Sequence, residues 1–129
     1  MAVTAEPQTG LQKGTNWWGA FVIGLAGTIL VTGTFTVQVR IKDYRTSCAL
    51  FGKPILHGWG HWHLNLDTAT GGMMGMGGMM GMSCTSTIRA STAGLMPGST
   101  HTLIALLVDN MHVPLMPLAA AQVSVRIGK

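Results

Sequence analysis

The longest charge-free stretch of the chain constrains its fold more than any other feature. No charged residue occurs between Lys13 and Arg40, and residues 17–37 read WWGAFVIGLAGTILVTGTFTV. As an α-helix this segment would be about 31 Å long, which is enough to cross the hydrocarbon core of a bilayer. The two tryptophans at its start suit the membrane interface. The sequence therefore predicts an N-terminal tail over residues 1–16 and one transmembrane helix over residues 17–37.

This apolar segment differs from a secretory signal peptide. It is longer than the apolar region of a signal peptide, which has about 7–15 residues, and no small-residue cleavage site follows it. We therefore expect an uncleaved anchor. Ala20, Gly24 and Thr28 recur every four residues. This stripe is either a surface for close packing against another helix or a consequence of the small residues common in membrane helices.

After residue 35 the apolar residues stop following a helical period and begin to alternate with polar ones. Clusters of Gly, Pro, Ser and Asn separate these alternating segments, as expected for strands joined by turns. The predicted strands are 35–41, 59–66, 84–90, 101–108 and 122–127, with a further short strand near 49–51. This pattern predicts a mainly-β domain over residues 38–129, built as a small antiparallel β-sandwich.

Composition excludes several classes of protein. Charged residues make up 9% and hydrophobic residues 47% of the 129 residues, whereas soluble domains have about 25% charged residues. The net charge of +4 comes from few, scattered basic residues, so a nucleic-acid partner is not expected. No nucleotide-binding or hydrolase motif is present, and four acidic residues leave little acid–base chemistry. We expect that the chain is not an enzyme by itself.

The two cysteines help to predict on which side of the membrane the domain lies. Cys48 and Cys84 fit no Cys-x-x-Cys motif. They would pair in an oxidising compartment and stay free thiols in a reducing cytoplasm, and we favour the disulfide. The basic residues after position 39 would by themselves favour an internal C-terminus, but the alternating pattern assigns them to the folded domain. We therefore expect a single-pass protein of the cell membrane with an extracytoplasmic C-terminal domain.

Residues 71–82 form a methionine–glycine repeat, in which the unit GGMMGM occurs twice. Glycine makes the repeat flexible and unfavourable as a helix or strand on its own. Thioether sulfurs are ligands that soft ions such as Cu(I) prefer, so we favour copper binding by this loop. The alternatives are packing against a partner protein or lipid and an inert linker. The candidate ligands are Met73, Met74, Met76, Met79, Met80 and Met82.

Three of the five histidines lie within the segment HGWGHWH. On a strand, His61 and His63 point to the same face, where they form either a metal-binding pair or a hydrogen-bonding pair. A third ligand would come from another strand, and the candidates are His112, after a predicted Asp-Asn turn, and His101. We favour His61, His63 and His112 in that order. A blue-copper site is not expected, because neither cysteine is closely followed by a histidine.

Three segments together resemble a group of small bacterial extracytoplasmic domains of Ig-like or cupredoxin-like form. These segments are GHWHLNLD at 60–67, LMPGSTHTL at 95–103 and DNMHVPL at 109–115. The resemblance covers residues 55–128 and implies a β-sandwich with histidines gathered at one end. The methionine–glycine repeat and the N-terminal anchor depart from that pattern, and they suit a subunit of a membrane complex better than a free periplasmic carrier.

These features lead to two main hypotheses on function. The first is a membrane-anchored copper-binding protein that supplies or stabilises copper in a larger integral membrane enzyme, such as a particulate-type monooxygenase or an oxidase. The second is a purely structural accessory subunit whose methionine–glycine repeat packs against a partner. A weaker third hypothesis is a domain that contacts membrane lipid or the cell envelope. The expected partners are integral membrane subunits and membrane lipid, and the expected cofactor is copper.

Overall fold

The computed structural model describes residues 2–5, 28–68 and 78–129. These residues form nine strands and one short 3-10 turn, Cys48–Leu50. The strands are β1 Ala2–Ala5, β2 Thr28–Val31, β3 Thr34–Val39, β4 Arg45–Thr46, β5 Trp59–Leu66, β6 Met79–Ser83, β7 Thr87–Ser91, β8 Thr100–Val108 and β9 Ala120–Ile127. The predicted mainly-β character of the domain is confirmed.

The strands of the described residues form two sheets. One has the order β1-β3-β7, and the other has the order β2-β9-β8-β5-β4, with β6 also paired to β5. The β3–β7, β5–β6, β5–β8 and β8–β9 pairs are antiparallel. The β1–β3, β2–β9 and β4–β5 pairs are parallel. Both sheets are therefore mixed, whereas the sequence predicted purely antiparallel pairing.

The alternating pattern of the sequence builds a core shared by the two sheets. In β3, Phe35, Val37 and Val39 are buried while the residues between them are more exposed. They belong to one apolar cluster with Trp62 and Leu64 of β5. Burying each large side chain of this kind contributes about 1.5–3 kcal/mol.

The prediction of a helix over residues 17–37 is wrong for its C-terminal part. Residues 28–31 and 34–39 are strands, joined through Gly33 with a φ of 60°. The physical reason is the period of two in residues 34–39, reinforced by β-branched Thr and Val. Residues 17–27 lie outside the described part of the chain, and no helix within the described part is long and apolar enough to cross a membrane. The predicted domain start at residue 38 falls inside β3.

Two shorter segments also differ from prediction. Residues 48–50 form a 3-10 turn, where a strand near 49–51 was expected. Residues 79–83 form β6, although the glycine content of the repeat argued against a strand. Hydrogen bonding to the edge of β5 supplies the order that this segment does not have by itself. The rest of the repeat, residues 71–77, lies outside the described residues.

Strand β5 is buried on both faces, and this property positions the candidate site. Trp62 and Leu64 point into the core between the sheets. His61, His63 and Asn65 lie on the opposite face and are 0–1% exposed. Their partners across the β5–β8 ladder are Val108, Leu106 and Ile104, all of which are also buried. The second sheet therefore carries a buried layer on its outer face, and this layer contains two histidines.

Candidate metal centre

Three imidazole rings converge on the outer face of the second sheet. His61 Nε2 lies 3.1 Å from His63 Nε2 and 2.9 Å from His112 Nδ1. His112 Nδ1 lies 3.4 Å from His63 Nε2. The three nitrogens thus form a small triangle, and these residues are the set predicted from sequence. The cluster has the composition and closeness of a metal-ligand group.

The size of this triangle matches a first-row transition metal. A circle through the three nitrogens has a radius of about 1.8 Å, slightly shorter than the Zn–N distance of about 2.0–2.1 Å. An ion about 2.0–2.1 Å from all three nitrogens would lie just outside the plane that they define. In a tetrahedral site the nitrogens would be about 3.3 Å apart. The rings therefore need to move by only a few tenths of an ångström.

Strand geometry places the first two histidines. His61 and His63 are two residues apart in β5, so their side chains share a face. The preceding residue, Gly60, has no room for a side chain. A Cβ there would meet the Val108 carbonyl and the hydroxyl of Tyr44, whose oxygen lies 2.8 Å from the Trp59 carbonyl and 3.0 Å from the Val108 carbonyl. Glycine at this position lets neighbouring backbone pack closely at the start of the histidine strand.

A tight loop after β8 places the third histidine. Asp109 Oδ1 accepts hydrogen bonds from the backbone N–H groups of Met111 (2.8 Å) and Val113 (3.1 Å). The backbone of Asp109 also bonds to that of His112 and Val113. His112 itself has a φ of 65°, a left-handed conformation that costs about 1 kcal/mol or more outside glycine. The aspartate-anchored turn holds His112 in this conformation over the sheet.

The aromatic ring of Phe51 covers one side of the cluster. Its centroid lies 4.3 Å from that of His61 and 5.6 Å from that of His112. Phe51 follows the 3-10 turn directly. An apolar cover of this kind limits access of water to the ring nitrogens and lowers the local dielectric constant.

The buried side chain of Asn110 ties the Phe51 segment to the His112 loop. Asn110 Nδ2 donates to the carbonyl of Pro54 (3.1 Å), and the Asn110 carbonyl accepts from the N–H of Gly52 (2.8 Å). Asn110 is 0% exposed. The segments that carry Phe51 and His112 are therefore fixed relative to each other.

The predicted disulfide between Cys48 and Cys84 is confirmed, with a Cα–Cα distance of 5.4 Å. It joins the 3-10 turn next to Phe51 to the residue that follows β6. Thr46 reinforces the same junction, because its hydroxyl donates to the Cys84 carbonyl at 2.7 Å. Strands β4 and β6 both pair with β5, so the disulfide fixes the edge of the sheet beside the histidines.

The surroundings of His61 favour its neutral form. Desolvation by burial, followed by the proximity of His63 and His112, lowers the pKa of His61 from 6.5 to about 3. A neutral imidazole offers a lone pair on one ring nitrogen. His61 is therefore able to bind a cation at neutral and mildly acidic pH.

His101 was also a candidate ligand, and the structure places it elsewhere. Its Nδ1 lies 2.7 Å from Asp67 Oδ2 and its Nε2 lies 2.9 Å from Ser99 Oγ. Because β8 runs antiparallel to β5, His101 at the start of β8 lies beside the end of β5, whereas His61 pairs with Val108. The separation along the strands removes His101 from the histidine cluster.

The Ser99–His101–Asp67 chain has the order of a hydrolase triad. However, the Ser99 hydroxyl donates to the Met96 carbonyl at 2.5 Å, which leaves no hydrogen for the donation to His101 Nε2 that a triad requires. Burial acts to raise the pKa of Asp67, but hydrogen bonds from His101 and Thr102 lower it overall. These contacts join the end of β5 to the start of β8 and support a structural role.

Three of the six candidate methionines lie in the described residues. Met79 and Met82 pair with Asn65 and His63 of β5, so they lie on the histidine face. Met80 packs against the core between the sheets instead, so it lies on the face opposite to the histidine cluster. Met73, Met74 and Met76 lie outside the described part of the chain.

Sequence reasoning missed Phe51 and the structural roles of Asp109 and Asn110. The Asp-Asn pair was visible as a turn signal, but its hydrogen bonds depend on segments distant in sequence. Phe51 was placed in a predicted strand, and nothing local linked it to the histidines. Only the three-dimensional arrangement identifies these residues as the cover and support of the cluster.

Comparison of the chain with protein-family models, with curated proteins and with solved structures finds no match. The structure is mainly β and brings three histidines together, but none of these comparisons supports the Ig-like or cupredoxin-like resemblance.

Proposed function

We propose that the chain is a metal-binding protein that holds one copper ion between His61, His63 and His112. The observation that carries this proposal is the convergence of three ring nitrogens within 2.9–3.4 Å at a buried position. Two of these residues are 0% exposed, so the cluster is not a chance grouping of surface side chains.

Hydrogen bonding among the rings alone does not account for the triangle. Each ring nitrogen has one in-plane position, which holds either a hydrogen or a lone pair. The three nitrogens form three mutual contacts. Whichever of them carry a hydrogen, at least one contact joins two donors or two acceptors, so hydrogen bonds do not satisfy all three contacts. A cation at the centre satisfies all three lone pairs together, and imidazole is the commonest metal ligand in proteins.

Copper is favoured over other metals by the donors around the cluster. Imidazole suits zinc and copper alike, whereas thioether sulfur selects Cu(I). Met79 and Met82 share the face of the histidines. Hard cations such as Mg²⁺ and Ca²⁺ require oxygen ligands, and none of the three clustered side chains supplies one.

We further propose that the protein works outside the cytoplasm as an accessory subunit that supplies or stabilises copper in a membrane enzyme. The Cys48–Cys84 disulfide supports an oxidising compartment. Met111 and Val113, on either side of His112, are each 48% exposed, which suits contact with a partner during metal transfer. The alternative is a structural accessory subunit, for which copper loading would not matter.

Metal titration of the full purified chain tests the metal site. We expect one Cu(I) ion per chain, measured by competition with a chromogenic chelator. His63→Asn and His112→Asn should each weaken binding at least tenfold, because each removes one of three ligands. The control is His57→Gln, which changes an exposed histidine outside the cluster. Equal affinity in the wild type and the cluster variants would contradict the proposal.

A co-purification experiment separates the two accessory roles. If the protein supplies copper, the His63→Asn variant should still join its membrane complex while the copper content of that complex falls. If the role is structural, the copper content of the complex should match that obtained with the wild type.

A further inference from the structure

The pairing of β5 with β6 places one methionine of the repeat directly beside the histidine cluster. His63 pairs with Met82, and Trp62 pairs with Ser83. Directly opposed residues of an antiparallel pair share a face, with Cβ atoms about 5 Å apart. The Met82 side chain therefore starts on the same face as the ring of His63. The flexible Met82 side chain is long enough to bring its thioether to the histidine cluster.

A bulge gives the three described methionines different positions. The register shifts between Leu64 and Asn65, so that Leu64 pairs with Gly81 and Asn65 pairs with Met79. The extra residue, Met80, packs against the core between the sheets. Met79 lies two pairs further along the ladder than Met82. Of these three methionines, only Met82 pairs with a cluster histidine.

The backbone that carries Met82 is held rigidly. Cys84, two residues later, is joined to Cys48 by the disulfide. The indole Nε1 of buried Trp62 donates to the carbonyl of Thr85 at 2.6 Å. Sites supported by fixed strands hold their ligands more accurately than sites on free loops. Met82 thus has a fixed backbone and a mobile side chain next to the cluster.

The charge of the cluster limits which ion suits it. Imidazole and thioether ligands are neutral and do not offset the charge of an ion. The whole charge of the ion would therefore be buried with it. Burial of charge in a medium of low dielectric constant is costly, and the cost grows with the square of the charge. A monovalent ion is therefore better suited than a divalent one, and a soft monovalent ion also suits sulfur.

We propose that Met82 supplies a thioether as the fourth ligand, and that this ligand makes the site selective for Cu(I) over Zn(II). The inference rests on the three-histidine metal site proposed above and adds to it one ligand and the oxidation state of its ion. Met82 completes a four-coordinate site from the β6 side, while Phe51 covers His61 and His112.

The test compares Met82→Leu with Met80→Leu in the full chain, using Cu(I) and Zn(II) as separate probes. Met82→Leu should weaken Cu(I) binding at least tenfold and change Zn(II) binding by less than twofold. Met80→Leu, which changes a methionine of the same strand on the opposite face, should change neither. Leucine keeps a similar volume and apolar character, so both variants should fold.

X-ray absorption at the copper edge provides a second readout. The Cu(I)-loaded wild type should show a sulfur shell beside the nitrogen shell, and Met82→Leu should lose the sulfur shell alone. The inference is overturned if Met82→Leu binds Cu(I) like Met80→Leu, if it weakens both metals equally, or if Met79→Leu removes the sulfur shell instead. A different result would show that the three-histidine site itself is wrong. In that case His63→Asn would bind both metals with the affinity of the wild type.

Discussion

At the scale of single residues, the buried position of His61 has a consequence for stability. Its pKa is lowered to about 3 in the folded protein by desolvation and by the two neighbouring rings, whereas an unfolded chain titrates near 6.5. The unfolded state therefore binds the proton first as the pH falls. The stability linked to His61 is complete above about pH 6.5 and is lost progressively toward pH 3.

Urea unfolding of the metal-free protein between pH 7 and pH 4 measures this dependence. The wild type should lose stability as the pH falls, and His61→Asn should show a flatter profile because it removes the titrating group. His57→Gln serves as the control, because His57 is an exposed histidine, and it should keep the wild-type profile. Identical slopes in the wild type and His61→Asn would show that His61 is not held neutral by its surroundings.

At the scale of elements, the disulfide joins the 3-10 turn to the end of β6 across 36 residues. In the chain-entropy model, closing a loop of this length stabilises the folded state by about 4 kcal/mol. The double variant Cys48→Ser/Cys84→Ser should lose about 2–4 kcal/mol of unfolding free energy in urea titrations. The wild type under reducing conditions should show a similar loss. An unchanged free energy would mean that the backbone contacts of β4 and β6 hold this edge alone.

The elements also show what the sequence could predict. Strand β5 was predicted with its observed bounds, because its alternation and the preceding Gly58 are local signals. His61 and His63 followed directly from their spacing on that strand. His112 was a weaker prediction, because its position depends on the turn anchored by Asp109.

Other elements were not accessible from local sequence. Residues 28–33 continue an apolar run that has no decisive period, and the β structure of residues 28–31 depends on pairing with β9. Strand β6 has a composition unfavourable for a strand, and its order comes from β5. The displacement of His101 from the cluster follows from strand direction and register, which the sequence leaves open.

At the scale of the whole molecule, the second sheet has two different buried faces. One face closes the apolar core against β3 and β7. The other carries His61 and His63, to which one loop adds His112. The core thus stabilises the same strand that presents the histidines, and the proposed metal site lies on β5, which forms with β8 the most buried strand pair of the described residues.

The most direct test of the metal site is anomalous diffraction at the copper edge from crystals of the copper-loaded protein. A single peak is predicted about 2 Å from His61 Nε2, His63 Nε2 and His112 Nδ1. A copper peak at another position, or no peak in crystals grown with excess copper, would contradict the account.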